Sequence, residues 1–371
     1  MEMRAATFTA IPDSTRDSQR QFRVAGQATQ QWLCILYIFI MIPGSEVSAA
    51  EPVGRIVLVN PFPAAGPHDI NGSTPANKVL RAMQDHAVPP VTDVLARSLQ
   101  QTLALALDVP VSLVRRSRNN GIEARRYAES AAPDGGTLLL GSTGTVVIQP
   151  LIAPDDKSRD PLRRLRPVAL VARLPFVLVS HAGLQAKNVG NVVEQARAAP
   201  GRLYMGSPGD YTIGHLAGVF VARASGIVVH HVPFNGSTAA ARAVLAEQID
   251  VALLPLPAVL PYAGNPRMNA LAITDFERHP ALPGVPTVEE AGIGGAAYTA
   301  WYGLFIASGT PRHIVERING AVAPELRAEP VRLALSRHGL TPAYLSAEQM
   351  EKEIHEEHAR WRPYIEDLKV R

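Results

Sequence analysis

Two series of alternating strand and helix patterns are the feature of this sequence that most restricts its fold. Short apolar runs read as buried parallel strands, and apolar residues at helical spacing read as amphipathic helices between them. The first series has strands at 56–59, 111–114 and 137–140 and helices at 93–107 and 123–131. The second opens with 203–205 and has strands at 228–232, 250–254 and 269–273 and helices at 212–224 and 238–248. Two such series predict two α/β domains of similar build.

Two longer apolar segments, 168–179 and 298–306, flank the second series. We interpret them as strands that cross between the two domains. Domain 1 is therefore expected to comprise 51–172 plus 303–371, with an extra helix inserted at about 68–90, and domain 2 to comprise 173–302. The segment 312–371 is expected to be helical and charged, with Trp361 and Tyr364 docking on domain 1.

The first fifty residues have the composition of a secretory signal peptide. Basic residues precede the apolar run 32–42, and small residues follow at 47–50. The run is shorter than the roughly 20 apolar residues that span a bilayer. We expect cleavage after Ala49 or Ala50, which would remove Cys34, the one cysteine of the chain. The mature protein is then expected in the periplasm without disulfides, thiolate metal sites or a cysteine nucleophile.

Composition and motifs argue against several function classes. The chain has 371 residues, of which 47% are hydrophobic, and a formal net charge of +3, which provides no concentrated basic face for nucleic acid. The G-x-S-x-G elbow, the phosphate-binding loop and the dinucleotide fingerprint are all absent from the sequence. We therefore predict a protein that is not an enzyme and uses no cofactor. An α/β hydrolase that uses Ser142 or Ser207 with His215 is the enzymatic alternative.

Three turns that join a strand to a helix share a composition of small residues. They lie at 63–67, 141–145 and 207–212, and the last two also carry hydroxyl groups. Exposed N–H groups at the start of a helix attract an anion, and glycine lets a ligand approach the main chain. Since two turns come from the first series and one from the second, they could face each other across a cleft. The competing interpretation is that these are ordinary connecting turns.

The histidines do not suggest a metal site. His355 and His358 could form a metal-binding pair on a helix, but a solvated charged face explains them better. His230 and His231 are adjacent in a strand, so their side chains point to opposite faces and cannot chelate together. His215 is either a ligand contact or a packed or capping histidine.

Several ordered motifs resemble the substrate-binding proteins of tripartite tricarboxylate transporters, often called the Bug family. The motifs extend over nearly the whole mature chain. They are Pro61–Pro67, Asp93–Arg97, Ala132–Gly135, Leu139–Ser142, Gly214–Ala217, His231–Phe234, Ala281–Gly292 and Trp301–Phe305.

This resemblance implies a type II periplasmic binding protein fold, in which two α/β domains joined by two crossing strands close on a small organic acid like a flytrap. It also implies a monomer that delivers the acid to transporter membrane subunits, or a sensor component that docks on a signalling receptor. Main-chain groups and hydroxyls would hold the carboxylate. Carried over by motif, the ligand contacts are Phe62, Ala64, Ala65, Gly66, Ser142, Thr143, Gly209, Thr212 and His215.

The sequence departs from the family pattern in three places. The inserted helix separates Gly66 from Asp93, and the family's glycine-rich turn is replaced by 116–121. Where the family often has an acidic or amide residue, this chain has Pro255-Leu256-Pro257, which favours a ligand without an ammonium group. A degenerate member, in which the insertion abolishes binding, is a further alternative.

Overall fold

The computed structural model describes residues 54–62, 91–152 and 160–370. Residues Glu51–Arg371 form one compact unit. The predicted signal peptide, the turn at 63–67 and the inserted helix at about 68–90 lie outside the described residues.

The first part of the chain folds as the first strand–helix series predicts. Strand β1 pairs in parallel with β2 on one side and with β3 on the other. Helix α1 packs its buried stripe of Leu95, Leu99 and Leu103 in the core of this half. The elements are β1 (Ile56–Asn60), α1 (Val91–Leu107), β2 (Val111–Arg115), α2 (Ile122–Glu129), β3 (Thr137–Ser142), a π-helical segment (Thr143–Ile148) and α3 (Gln149–Ile152).

The second strand–helix series forms the other half. Strand β5 pairs in parallel with β6 and with β7. Two additional helices, α4 and the short α7, were not predicted. The elements are α4 (Val189–Ala198), β5 (Tyr204–Ser207), α5 (Ile213–Ala224), β6 (His230–Pro233), α6 (Ser237–Leu245), β7 (Val251–Pro255), α7 (Leu256–Val259) and β8 (Met268–Ile273).

Both long apolar segments are strands that join the halves, as predicted. Strand β4 (Leu165–His181) and strand β9 (Thr299–Ala307) pair antiparallel as far as Pro175 on β4. From Phe176 onward β4 pairs with β7 and β8 of the second half. The fold is thus a two-part α/β fold with two crossing strands. The domain limits at 172/173 and 302/303 stay a prediction.

The C-terminal segment is not entirely helical, which corrects the prediction. Strand β10 (Thr341–Leu345) interrupts it and pairs antiparallel with β4. Its proline, Pro342, is tolerated because β10 lies outside the main strand order β2-β1-β3-β9-β4-β7-β5-β6. The helices around it are α8 (Arg312–Arg327), α9 (Glu329–Arg337) and α10 (Ala347–Val370).

Helix α10 contacts both halves of the sheet, so its docking is wider than predicted. It packs on β4 and against the π-helical segment and α3 of the first half. Its fully buried Trp361 lies edge-on to Tyr298, with ring centroids 5.0 Å apart. Trp361 also contacts Phe220 of α5, with centroids 5.9 Å apart. Farther along α10, Asp367 forms an ion pair with Arg223 of α5. The last helix therefore spans the junction between the halves.

The predicted solvated face at 353–358 is only partly solvated. Glu357 and His358 are buried, whereas His355 is exposed. Glu357 accepts a hydrogen bond from Trp301 Nε1 over 2.8 Å, and its neighbour Glu353 makes a two-bond ion pair with Arg173 of β4. Burial, and next the Glu353 carboxylate, raise the pKa of Glu357 to about 8.

Replacing Glu357 by glutamine should flatten the dependence of stability on pH. The carboxyl pKa is 4.5 in its usual state and about 8 in the folded protein, so folding favours the protonated form. Its contribution is complete below the usual pKa and is lost as the pH rises through the folded value. Glutamine stays neutral and keeps an acceptor for Trp301. We expect the urea midpoint to fall between about pH 5 and pH 8 in the wild type, and to fall less in Glu357→Gln.

The matched control is Glu356→Gln, because Glu356 is the exposed neighbour on the same helix. Its profile should follow the wild type. Parallel profiles for both variants and the wild type would contradict the assignment of this pH dependence to Glu357.

Candidate functional site at the junction of the sheet halves

The strand registers direct the carboxyl ends of both parallel sets toward one point on β4. In the first half, Ser142 at the end of β3 pairs with Tyr302, which pairs with Ala172 of β4. In the second half, Pro255 at the end of β7 pairs with Phe176 of β4. Ligands of open α/β sheets bind outside the carboxyl ends of strands. The turns of the two halves therefore meet at the junction where ligand binding is expected.

The chain that leaves β1 is held in place up to Phe62, the last residue that the structure describes before the turn at 63–67. Asn60 is fully buried, and its Oδ1 accepts the main-chain N–H of Phe62 over 3.0 Å. The Phe62 ring lies edge-on to Tyr302, with centroids 5.6 Å apart. Since Tyr302 pairs with Ser142, the structure brings Phe62 and Ser142 to the same edge. The predicted contacts Ala64, Ala65 and Gly66 lie outside the described residues.

The turn after β3 is fixed by reciprocal capping. Ser142 Oγ accepts the N–H of Thr145, and Thr145 Oγ1 accepts the N–H of Ser142 over 2.9 Å. Thr143 is fully buried, and its Oγ1 accepts the N–H of Trp301 over 3.1 Å. The Thr143 hydroxyl thus attaches β9 to the turn. Its predicted role as a ligand contact stays a prediction, as does that of Ser142.

The turn between β5 and α5 gathers Gly209, Thr212 and His215. Thr212 caps α5: its Oγ1 accepts the N–H of His215 over 3.3 Å and donates to Gly209 O over 2.7 Å. Gly209 has a φ of +140°, a backbone conformation that favours glycine. His215 Nδ1 accepts the N–H of Tyr211 over 3.2 Å, which leaves the proton of the neutral ring on Nε2. The π-helical segment that follows β3 packs against α5, so the two turns are neighbours.

The sequence interpretation missed His231. Its ring stacks on His215, with centroids 3.6 Å apart and an interplanar angle of 3°. His230 lies on the opposite face against Tyr204, so the prediction that the adjacent pair cannot chelate together holds. The overlooked feature is the parallel pairing of β5 with β6, in which Met205 pairs with His231. This pairing places His231 beside the turn that follows Ser207.

Both stacked imidazoles are kept neutral by their surroundings. Burial, and next the proximity of His231, lower the pKa of His215 to about 4. Burial also lowers the pKa of His231, although the Asp210 carboxylate opposes this change. The turn therefore offers dipoles and N–H donors to a ligand without a fixed cationic histidine at neutral pH.

Ser207, His231 and Asp210 lie in the order of a hydrolase triad, but the geometry does not expose a nucleophile. Ser207 Oγ is 2.7 Å from His231 Nε2, and His231 Nδ1 is 3.6 Å from Asp210 Oδ1. Ser207 is fully buried, and its Oγ donates to Gly209 O over 3.2 Å. An acyl carbon cannot approach a buried oxygen, so this set orders the turn. The serine's partner is His231, not the His215 of the hydrolase alternative.

A separate groove of about 340 Å³ runs beside α10, next to Arg173 and Glu353. None of the predicted contact residues lines it.

Among the helices that the structure describes, none combines the length and apolar character needed to cross a bilayer.

The two-part sheet, its two crossing strands and the facing turns define a solute-binding protein of the periplasmic type. Residues 95–370 match the family described as "Tripartite tricarboxylate transporter family receptor". The chain belongs to this family. It is also 27% identical over 332 residues to the protein BugT of Bordetella pertussis, a match that covers 89% of this chain and 94% of BugT.

Two solved structures have the same fold and carry bound acids. The R. palustris protein Rpa4515, solved with adipate, is 26% identical to this chain and has a TM-score of 0.67. The match covers 83% of this chain and 95% of the Rpa4515 chain. MatC from Rhodopseudomonas palustris, solved with malate, is 25% identical to this chain and has a TM-score of 0.63. The match covers 85% of this chain and 99% of the MatC chain.

Removing the Thr212 hydroxyl should destabilise the protein through α5. Thr212→Ala leaves the His215 N–H without its cap and Gly209 O without its donor, at a cost of about 1 kcal/mol. Thr212→Ser keeps the hydroxyl and should stay close to the wild type. Urea unfolding measures the difference, and equal midpoints for the two variants would refute the capping role.

Proposed function

We propose that the mature protein is a periplasmic receptor that captures a small organic carboxylate between its two sheet halves for uptake. The observation that carries this proposal is the register of the sheet, which points the carboxyl ends of both parallel sets at one junction on β4. Membership of the family and the adipate and malate bound to two similar proteins support the same ligand class.

The proposed contacts come from both halves. The first half contributes Phe62 and Ser142, together with the turn residues Ala64, Ala65 and Gly66, while the fully buried Thr143 supports its turn by accepting the N–H of Trp301. The second half contributes Gly209, Thr212 and His215. Helix α5 begins at this second turn, and the N–H groups of a first helical turn carry a partial positive charge that favours an anion. Neutral His215 adds an Nε2–H donor.

Capture follows from differential affinity. An acid that contacts both halves binds the closed arrangement more tightly than the open one, so it shifts the population toward closure. We propose the hinge at the crossings near 172/173 and 302/303, and delivery of the acid, by a monomer, to the membrane subunits of a tripartite transporter. The proposal involves no reaction.

The ligand should be a diacid without an amino group. Strand β7 ends in Pro255, and Leu256 and Pro257 begin α7. These side chains provide no carboxylate for an ammonium group at that position.

A thermal-unfolding screen with small carboxylates tests the proposal. Adipate, malate and related diacids are added to the purified protein in EDTA, with their diamides as uncharged controls. A true ligand at about 100 times its Kd stabilises the protein by about 2.7 kcal/mol. Stabilisation by no acid, or equal stabilisation by acid and diamide, would refute carboxylate capture.

A pair of variants then assigns the site. Phe62→Ala removes the ring that lies against Tyr302 at the start of the first turn, and it should weaken the affinity for the acid found in the screen. Arg312→Gln alters a side chain that is 87% exposed on α8 and should leave the affinity unchanged. Equal affinity in both variants would remove the first turn from the proposed site.

The proposed export to the periplasm is tested by expressing the full chain in cells. Expression of the full chain in a Gram-negative host should yield a periplasmic protein whose intact mass corresponds to cleavage after Ala49 or Ala50. Recovery of an uncleaved chain from the cytoplasm would contradict the proposed location.

A further inference from the structure

Three metal-ligating side chains converge at the β5–α5 turn. Asp210 lies in the turn, His215 in the first turn of α5, and His231 on β6. One ligand atom from each lies within 4.8 Å of the others. His215 is buried, His231 half-buried and Asp210 exposed, so the cluster opens to solvent on one side. Among the described residues, this is the group of three whose donor atoms meet this closely.

Hydrogen bonds behind the cluster orient His231 as a metal ligand would be oriented. Ser207 Oγ lies 2.7 Å from His231 Nε2 and accepts the N–H of Gly209 over 3.2 Å, so it holds one edge of the His231 ring. A neutral ring that donates through Nε2 has a lone pair on Nδ1. A second hydrogen bond of this kind commonly fixes the tautomer of a histidine that binds a metal through its other nitrogen.

Three possible ligand atoms face each other. His231 Nδ1 is 3.6 Å from Asp210 Oδ1, and His215 Nδ1 accepts the N–H of Tyr211 over 3.2 Å. The Asp210 carboxylate brings a negative charge to this cluster, which a cation between these atoms would offset.

We propose that Asp210, His215 and His231 bind one divalent transition-metal ion of the zinc class. Two imidazole nitrogens and one carboxylate oxygen suit Zn²⁺, Ni²⁺ or Cu²⁺ better than Ca²⁺ or Mg²⁺, which prefer all-oxygen sites. Three protein ligands leave a coordination position open to water or to an anion. The inference is independent of carboxylate capture, since the metal alone is its probe.

Binding requires one ring to leave the stack. A metal lies close to the plane of the imidazole that binds it, whereas these planes are parallel and the ring centroids are 3.6 Å apart. Ser207 Oγ holds the His231 ring over 2.7 Å, so we expect His215 to rotate. Coordination by His215 Nδ1 replaces its hydrogen bond from Tyr211.

The test is a titration of EDTA-treated, dialysed protein with ZnCl₂ by calorimetry, in buffer without organic acids. We expect one Zn²⁺ per chain. Asp210→Asn and His231→Gln should each weaken binding by at least about tenfold, because even changes to groups behind a ligand cost 10–100-fold. Co²⁺ added in place of Zn²⁺ should give visible absorption bands that both variants lose.

The matched control is His230→Gln, which alters the neighbouring histidine on the opposite face of β6 and should bind Zn²⁺ as the wild type does. Thermal unfolding in EDTA checks that each variant is folded, and Asp210, with a side chain 61% exposed, should tolerate asparagine. Absence of stoichiometric binding by the wild type would overturn the proposal. Unchanged affinity in Asp210→Asn and His231→Gln would overturn it equally, because the ion would then sit elsewhere. Neither result bears on the acid screen, which is run in EDTA.

Discussion

The antiparallel pairing of β4 with β9 is the interaction on which the rest of the structure depends. Both passages of the chain between the halves occur in these two strands, which pair from Leu165–Ala307 to Pro175–Thr299. Because β4 continues without a break into pairing with β7 and β8, it sets the position of the second half relative to the first. The turns converge at the junction because of the directions of the strands, and this convergence does not depend on any side chain.

The electrostatic potential at the junction depends on the dipoles of neutral groups and on the tautomers of two histidines. Burial keeps His215 and His231 neutral, while caps and buried hydroxyls fix the orientation of each hydrogen-bonding group. Groups held in place before a ligand arrives lose little conformational freedom on binding. A site of this kind can favour an anion and still release it, since no permanent positive charge has to be separated from the ligand.

Much of the fold could be predicted from periodicity. Apolar runs located the strands, including both crossings, because a strand buried on both faces must be continuously apolar. Strand β10 could not be found in this way, since Thr341 to Leu345 is half-buried, short and contains proline. The motifs located Thr212 and His215, but the stacking of His231 on His215 depends on which strands are neighbours. The burial of Glu357 depends likewise on where α10 lies, and the sequence around it reads as a charged surface.

Helix α10 acts as a third link between the halves, beside the two strands. It packs against the π-helical segment and α3 of the first half, while its Trp361 lies against Tyr298 and Phe220, and Asp367 is paired with Arg223 of α5 near the end of the chain. A swing of one half would have to slide these aromatic surfaces past one another or separate them. The amplitude of motion is then limited by a tether that also reaches the β5–α5 turn, where Tyr211 donates a hydrogen bond to Leu368 O, and loss of a few C-terminal residues would alter how readily the halves part.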